Sequence, residues 1–223
     1  GIIAIVLDEG DELSWVRHTH GNDNLIVATR DGMSIRFDEQ EVRQMGRVAH
    51  GVRAIRLGEG DEVIGMARAR EGATLLTVTE RGQGRRTPLS DYRIQSRGGK
   101  GIVNYKVDEQ RGKVAGIKVV DENDDIIMIT SDGVIIRIPV CEINVQSRYA
   151  SGVRVMRVDE GSRVVTIARA EHEEPSGDPD PTDLGGEDDP EDVPVLAVPE
   201  RESDMREDVR EAMAALIENA DRR

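Results

Sequence analysis

The sequence predicts an all-β chain: a propeller-like array of four-stranded blades about 50 residues long, forming a partial arc, then an acidic tail and a short C-terminal helix. Three observations lead there. Gly1, Gly51, Gly101 and Gly152 open runs of one shape at spacings of 50, 50 and 51 residues. The apolar windows are rich in Val, Ile and Thr and lack the 3.6-residue periodicity of a helical solenoid. A glycine closes a tight turn 31 or 32 residues after the opening glycine of each unit, at Gly32, Gly82 and Gly133.

The elements of each unit follow in order. Gly1 to Leu7, Gly51 to Leu57, Gly101 to Val107 and Gly152 to Val158 are read as first strands, each ending in a polar, mostly acidic turn. A second apolar strand follows. The third runs Leu25 to Thr29, Leu75 to Thr79 and Ile126 to Thr130, and the fourth Met33 to Phe37, Gln83 to Thr87 and Val134 to Ile138. Asp31-Gly32 and Asp132-Gly133 suit a two-residue type I′ hairpin, because both residue types tolerate positive φ. The expected units are 1–50, 51–100, 101–151 and a partial 152–170. Residues 171–203 are acidic and rich in Pro and Gly, the composition of a disordered linker. Over 204–220, Met205, Val209, Ala212, Met213, Leu216, Ile217 and Ala220 share one face of an amphipathic helix, with Ser203 as N-cap.

The net charge of −14 belongs to the tail. Residues 1–170 hold 25 basic and 25 acidic side chains, whereas 171–223 hold 5 and 19. A neutral body binds duplex DNA if its cations collect on one edge, since phosphate neutralisation is local. The repeats supply such columns. Arg36, Arg86 and Arg137 stand four residues after each hairpin glycine. Arg47, Arg97 and Arg148 recur in the loop that closes each unit, and Arg53, Arg56, Lys106, Arg154 and Arg157 fall two or five positions past the opening glycines. The acidic tail is expected to compete with DNA for this rim. If deleting 171–223 left low-salt affinity unchanged, that expectation would fail.

The loop Gln95-Ser96-Arg97-Gly98-Gly99-Lys100-Gly101 is the strongest local signal. Its glycines let a backbone approach a phosphate beside Arg97 and Lys100. It is not an ATP-binding P-loop, because Lys100 is followed by Gly101 where that motif has Ser or Thr. Five aromatic residues are too few for single-strand stacking platforms, which leaves the duplex backbone as the target. A row of cations without base-reading helices favours bending over sequence readout.

Gln95 to Gly101 resembles the gyrase box, Gln-basic-Arg-Gly-Gly-basic-Gly, in six of seven positions, departing at Ser96. Thr79 to Pro88 and Tyr92-Arg93-Ile94 are also similar to the family of bacterial DNA gyrase A C-terminal domains. The resemblance covers about residues 1–170. It implies a six-bladed β-pinwheel that wraps duplex DNA around its rim. It also implies a parent type IIA topoisomerase, an A2B2 assembly with the gyrase B protein, which introduces negative supercoils using ATP and Mg²⁺ held on other domains, in the bacterial cytoplasm at the nucleoid. In that family the full box belongs to the first blade, so Gln95 to Gly101 corresponds to a later, degenerate copy. The equivalent domain of topoisomerase IV and a propeller-like protein-interaction scaffold are the alternatives.

Other classes find little support. Cys141 is the single cysteine, which excludes an internal disulfide framework and fits a reducing compartment. The sequence has no apolar run long enough to span a bilayer and no signal peptide. It opens inside an apolar run without an initiator Met, and is read as a fragment lacking its N-terminal part. His18, His20, His50 and His172 lack the carboxylate or cysteine company of a metal site, and no catalytic constellation is expected.

Overall fold

The computed structural model describes residues 3–172. The helix expected over 204–220, and all but the first two residues of the linker expected over 171–203, lie outside the described residues. Eleven strands are described: β1 Asn24–Thr29, β2 Met33–Asp38, β3 Val63–Ala69, β4 Thr74–Thr79, β5 Gln83–Pro88, β6 Ile102–Val103, β7 Val114–Val120, β8 Asp124–Thr130, β9 Ile135–Pro139, β10 Val153–Arg154 and β11 Val164–Glu171. They form two four-stranded sheets and one three-stranded sheet, in the orders β3-β1-β2-β6, β10-β5-β4-β7 and β11-β8-β9.

These orders show that each four-stranded sheet draws strands from more than one of the units opened by glycine. Each four-stranded sheet takes its two middle strands from one repeat, a third from the next repeat and a two-residue fourth from the repeat after that. Thus β1 and β2 pair with β3, and Met33 and Ser34 on β2 pair with Val103 and Ile102 on β6. One repeat later, β4 and β5 pair with β7, and Gly84 and Gln83 pair with Val153 and Arg154 on β10. Sequence self-similarity reports the period but not which copies hydrogen-bond. The opening runs supply only these two-residue strands, and Ile3 to Leu7 forms none, with Ile3 75% exposed.

The central strands β1, β4 and β8 are buried along most of their length because both their faces are covered. Ile26, Leu75, Leu89, Ile117 and Val119 pack in one cluster. Leu76, Val78, Ile126, Met128, Val164 and Ile167 pack in a second.

Glycine enforces the strand exchange at two repeat positions. Gly101 and Gly152 have φ of +76° and +84°, and a Cβ on either would run into the carbonyl oxygen of Ser34 or Gly84 on the receiving strand. A hairpin glycine oxygen then accepts from the incoming chain. Asn104 N and Tyr105 N donate to Gly32 O at 2.8 and 3.0 Å, and Val155 N and Met156 N to Gly82 O at 2.8 and 3.1 Å.

The hairpins also differ from expectation. The β1–β2 connection is a three-residue loop closed by Gly32 N donating to Thr29 O at 3.0 Å, with φ of +84° at Gly32. A right-handed turn followed by a left-handed glycine matches strand twist as well as a type I′ turn does.

Candidate nucleic-acid interface

After each fourth strand of the repeat a short 3-10 turn, Glu39–Glu41, Leu89–Asp91 or Val140–Glu142, leads into the loop that closes the unit. The second and third such loops are tied to the preceding repeat by the same main-chain bond: Gln95 N donates to Arg36 O and Gln146 N to Arg86 O, both at 2.8 Å. The Gln95 side chain is half-buried, and its Nε2 has no partner among the described residues.

The predicted strand column does not form a free cationic row. Arg36 Nη1 donates to Leu89 O at 2.8 Å, and burial holds its guanidinium below the usual arginine pKa. Arg86, only 3% exposed, donates from Nε to Ile143 O at 2.5 Å and lies 3.6 Å from Glu122. Arg137 is exposed but pairs through Nε with Asp125 at 2.7 Å. Arg36 and Arg86 therefore turn their guanidinium groups toward carbonyls of the next repeat, while Arg137 stays exposed at its ion pair with a buried carboxylate. Strand alternation places a residue on a face, but it does not reveal a neighbouring repeat's loop lying over that face.

The loop arginines divide. Arg47 is exposed and forms no ion pair with any described carboxylate. Arg97 instead bridges two units, Nε donating to Glu41 O of the preceding one at 2.9 Å and Nη1 to Arg53 O of its own at 3.2 Å. Arg148 donates through Nη1 to Val103 O and through Nη2 to the Tyr149 hydroxyl at 2.7 Å, its guanidinium 4.5 Å from the Tyr149 ring centre. Both arginines are half-buried loop clamps.

The glycines of the box-like loop lay its backbone against the segment that opens the same unit. Gly98, with φ of +78°, donates its N–H to Ala54 O at 2.6 Å, and Arg56 N donates to Gly99 O at 2.8 Å. Lys100, Arg53 and Arg56 are thereby gathered at one place, all three exposed. Gly101 follows at the strand crossing. The third unit repeats the arrangement, with Val103 to Lys106 beside the loop at 148–151 and Lys106 exposed. Arg154 and Arg157, also exposed, line an open cleft with Arg81 and Arg163. Arg47, Arg53, Arg56, Lys100, Lys106, Arg154 and Arg157 therefore remain as solvent-facing cations.

Sequence reasoning missed Arg85, which lies 1% exposed beside the third loop and donates to Arg148 O at 2.8 Å and Ala150 O at 2.9 Å. The pair Arg85-Arg86 inside an otherwise buried strand was the available signal. Two histidines also differ from expectation: His20 Nδ1 lies 3.1 Å from Asp23, and His50 Nδ1 lies 2.7 Å from Asp8. Each has one carboxylate neighbour, and among the described residues no set of three metal-ligating side chains converges. No helix among the described residues is long and apolar enough to cross a membrane.

Comparison with known proteins places this geometry. Residues 23–70, 73–121 and 124–171 each match the family described as DNA gyrase C-terminal domain, beta-propeller. The chain is 42% identical over 176 residues to the DNA gyrase A protein of Staphylococcus epidermidis strain ATCC 12228, covering 78% of this chain and 20% of that protein. Over 175 residues it is 42% identical to the gyrase A protein of Staphylococcus aureus strain MRSA252, with the same coverage. The chain thus spans about a fifth of the length of these relatives. Among solved structures, a DNA gyrase A C-terminal domain superposes with a TM-score of 0.69 at 26% identity, covering 76% of this chain and 58% of that one. The C-terminal domain of a DNA topoisomerase IV gives 0.64 at 27% identity, covering 68% and 47%. The matched segments begin 22 or 23 residues after the opening glycines and contain β1 to β3, β4 to β7 and β8 to β11, and the chain belongs to the DNA gyrase C-terminal domain family.

Proposed function

We propose that this chain binds duplex DNA through the exposed cations of its repeat loops and bends or wraps it, as the accessory domain of a gyrase A protein. The observation that carries this is the set Arg47, Arg53, Arg56, Lys100, Lys106, Arg154 and Arg157. All seven are exposed, Arg53 and Arg154 recur two positions and Arg56, Lys106 and Arg157 five positions past the opening glycines, and none of the seven forms an ion pair with a described carboxylate. Bending duplex through a large angle costs on the order of 1–6 kcal/mol per 20–30 bp by elastic estimates, so many phosphate contacts must offset it. A repeated arrangement supplies them at successive positions along the DNA. The catalytic tyrosine, the ATP and Mg²⁺ sites and the contacts to the gyrase B protein in an A2B2 enzyme belong, on this reading, to other parts of the polypeptides. The setting is the bacterial cytoplasm, at the nucleoid. Topoisomerase IV shares the fold, but the box-like loop at Gln95 to Gly101 favours gyrase.

The test is duplex affinity against salt concentration for the chain and for a variant with Arg53, Arg56, Lys100 and Lys106 changed to Ala. The log-log slope is expected to fall by about 0.9 for each phosphate contact removed. A folded variant with an unchanged slope would overturn the assignment of these residues.

A further inference from the structure

One inter-repeat core differs in kind from its counterparts. Thr77, Arg85, Thr87, Tyr92, Asn104 and Tyr105 are each at most 1% exposed and form one polar network. Arg85 Nε donates to Thr87 Oγ1 at 2.9 Å, and its guanidinium lies 4.7 Å from the Tyr105 ring centre. The Tyr92 hydroxyl donates to Asn104 Oδ1 at 2.7 Å, and Asn104 Nδ2 donates to Thr77 Oγ1 at 3.1 Å. One repeat earlier, equivalent positions hold Val27, Ile35, Phe37 and Ile55, a single apolar cluster. One repeat later, Met128, Ile143 and Met156 belong to another. None of the described carboxylates pairs with Arg85. A buried cation without a counter-ion is costly, and apolar residues of similar volume often replace such groups without loss of stability. Core filling therefore does not account for this one.

What Arg85 holds suggests its purpose. In the second repeat the closing loop is joined to its unit's opening segment by main-chain bonds, Gly98 N to Ala54 O and Arg56 N to Gly99 O. In the third repeat the equivalent oxygens, Asn104 O and Ala150 O, accept from the Arg85 guanidinium, as does Arg148 O. The Tyr105 hydroxyl adds a bond to Ser151 O at 2.7 Å. Arg85 thus takes the place of the main-chain bridge for a loop whose tip, Tyr149, is 85% exposed and stacked with Arg148.

We infer that Arg85 is a positioning residue for DNA binding: it fixes the 148–151 loop so that Tyr149, packed against the Arg148 guanidinium, stands out as a preformed contact for the sugar-phosphate edge of a duplex. This rests on the DNA-binding reading above. Preorganisation lowers the cost of ordering side chains on association, which is the advantage a locked loop offers over a mobile one.

The test uses the complete polypeptide carrying Arg85→Met, Arg148→Ala/Tyr149→Ala, and all three changes, with amide exchange of the loop and duplex affinity as readouts. Arg85→Met is expected to keep the thermal transition, to speed amide exchange over 148–151, and to weaken duplex binding several-fold. It should add nothing further in the Arg148→Ala/Tyr149→Ala background. Unchanged loop exchange would overturn the inference. So would faster exchange with unchanged affinity while Lys100→Ala still weakens binding. If no variant, Lys100→Ala included, alters affinity, the DNA-binding reading itself fails, and the exchange result then reports on loop order alone. Should Arg85→Met not fold, Tyr149→Ala alone still decides, because that side chain is exposed and lies outside the core network: full affinity in that variant refutes the contact.

Discussion

Arg86 and Lys106 are both basic residues of a repeat, yet the structure gives them opposite tasks. Arg86 is buried and satisfies Ile143 O, so truncation leaves a buried acceptor without its partner. Such a loss costs about 1–3 kcal/mol. Arg86→Ala is expected to lower the urea midpoint correspondingly, whereas Lys106→Ala should change stability by no more than about 0.5 kcal/mol and act on DNA affinity instead. Equilibrium unfolding and duplex titration of both variants separate the two roles. The sequence contained the positions of these residues but not the distinction. A repeat places arginines at fixed offsets, while the direction of a guanidinium is set by carbonyls from a repeat about 57 residues further on. The exposed set at Arg53, Arg56 and Lys106 was legible because those residues sit where the chain runs along the surface.

Hairpins and closing loops are the elements where local chemistry decides geometry. The hairpin glycines were readable, since a left-handed residue was required there. The turn class was not, because Thr29 and its equivalents enter the turn, with Met33 N donating to Thr29 Oγ1 at 3.2 Å and Gln83 N to Thr79 Oγ1 at 3.2 Å. In the third hairpin Asp132 accepts from the Ser162 hydroxyl at 2.6 Å and from the Thr130 hydroxyl, and these bonds hold its carboxyl below the usual carboxylate range. A depressed native pKa stabilises the fold fully above the unfolded value of about 4 and loses that contribution as pH falls through the native one. Asp132→Asn is therefore expected to lower the urea midpoint at pH 7, and the gap from wild type should close as the pH drops below about 4. A gap that does not narrow below about pH 4 would show that the hydroxyls do not distinguish the ionised form.

At the scale of the whole described body, strand exchange sets how stability is distributed. In an ordinary solenoid each repeat touches only its neighbours. Here the two-residue strands β6 and β10 join sheets whose middle strands lie two repeats upstream, so each unit is tied to the next and to the one after it. This arrangement escaped the sequence because the period is the same whether strands stay within a unit or cross between units. Cutting after Ser151, a boundary the repeat suggests, would remove β10 from the second sheet and β11 from the third. It would also take Met156, Val164 and Ile167 from the second core cluster. Burying such side chains is worth about 1.5–3 kcal/mol each, which for three approaches the 5–15 kcal/mol of a typical domain. A chain of residues 1–151 is thus expected to lose protection in β8 and β9 and to melt well below one of residues 1–172, with the loss extending into β4 and β5. Hydrogen exchange by strand tests this directly. If protection fell only in the third sheet, coupling would be confined to adjacent repeats, and the short crossing strands would serve as spacers for the loops they lead out of instead of joints between sheets.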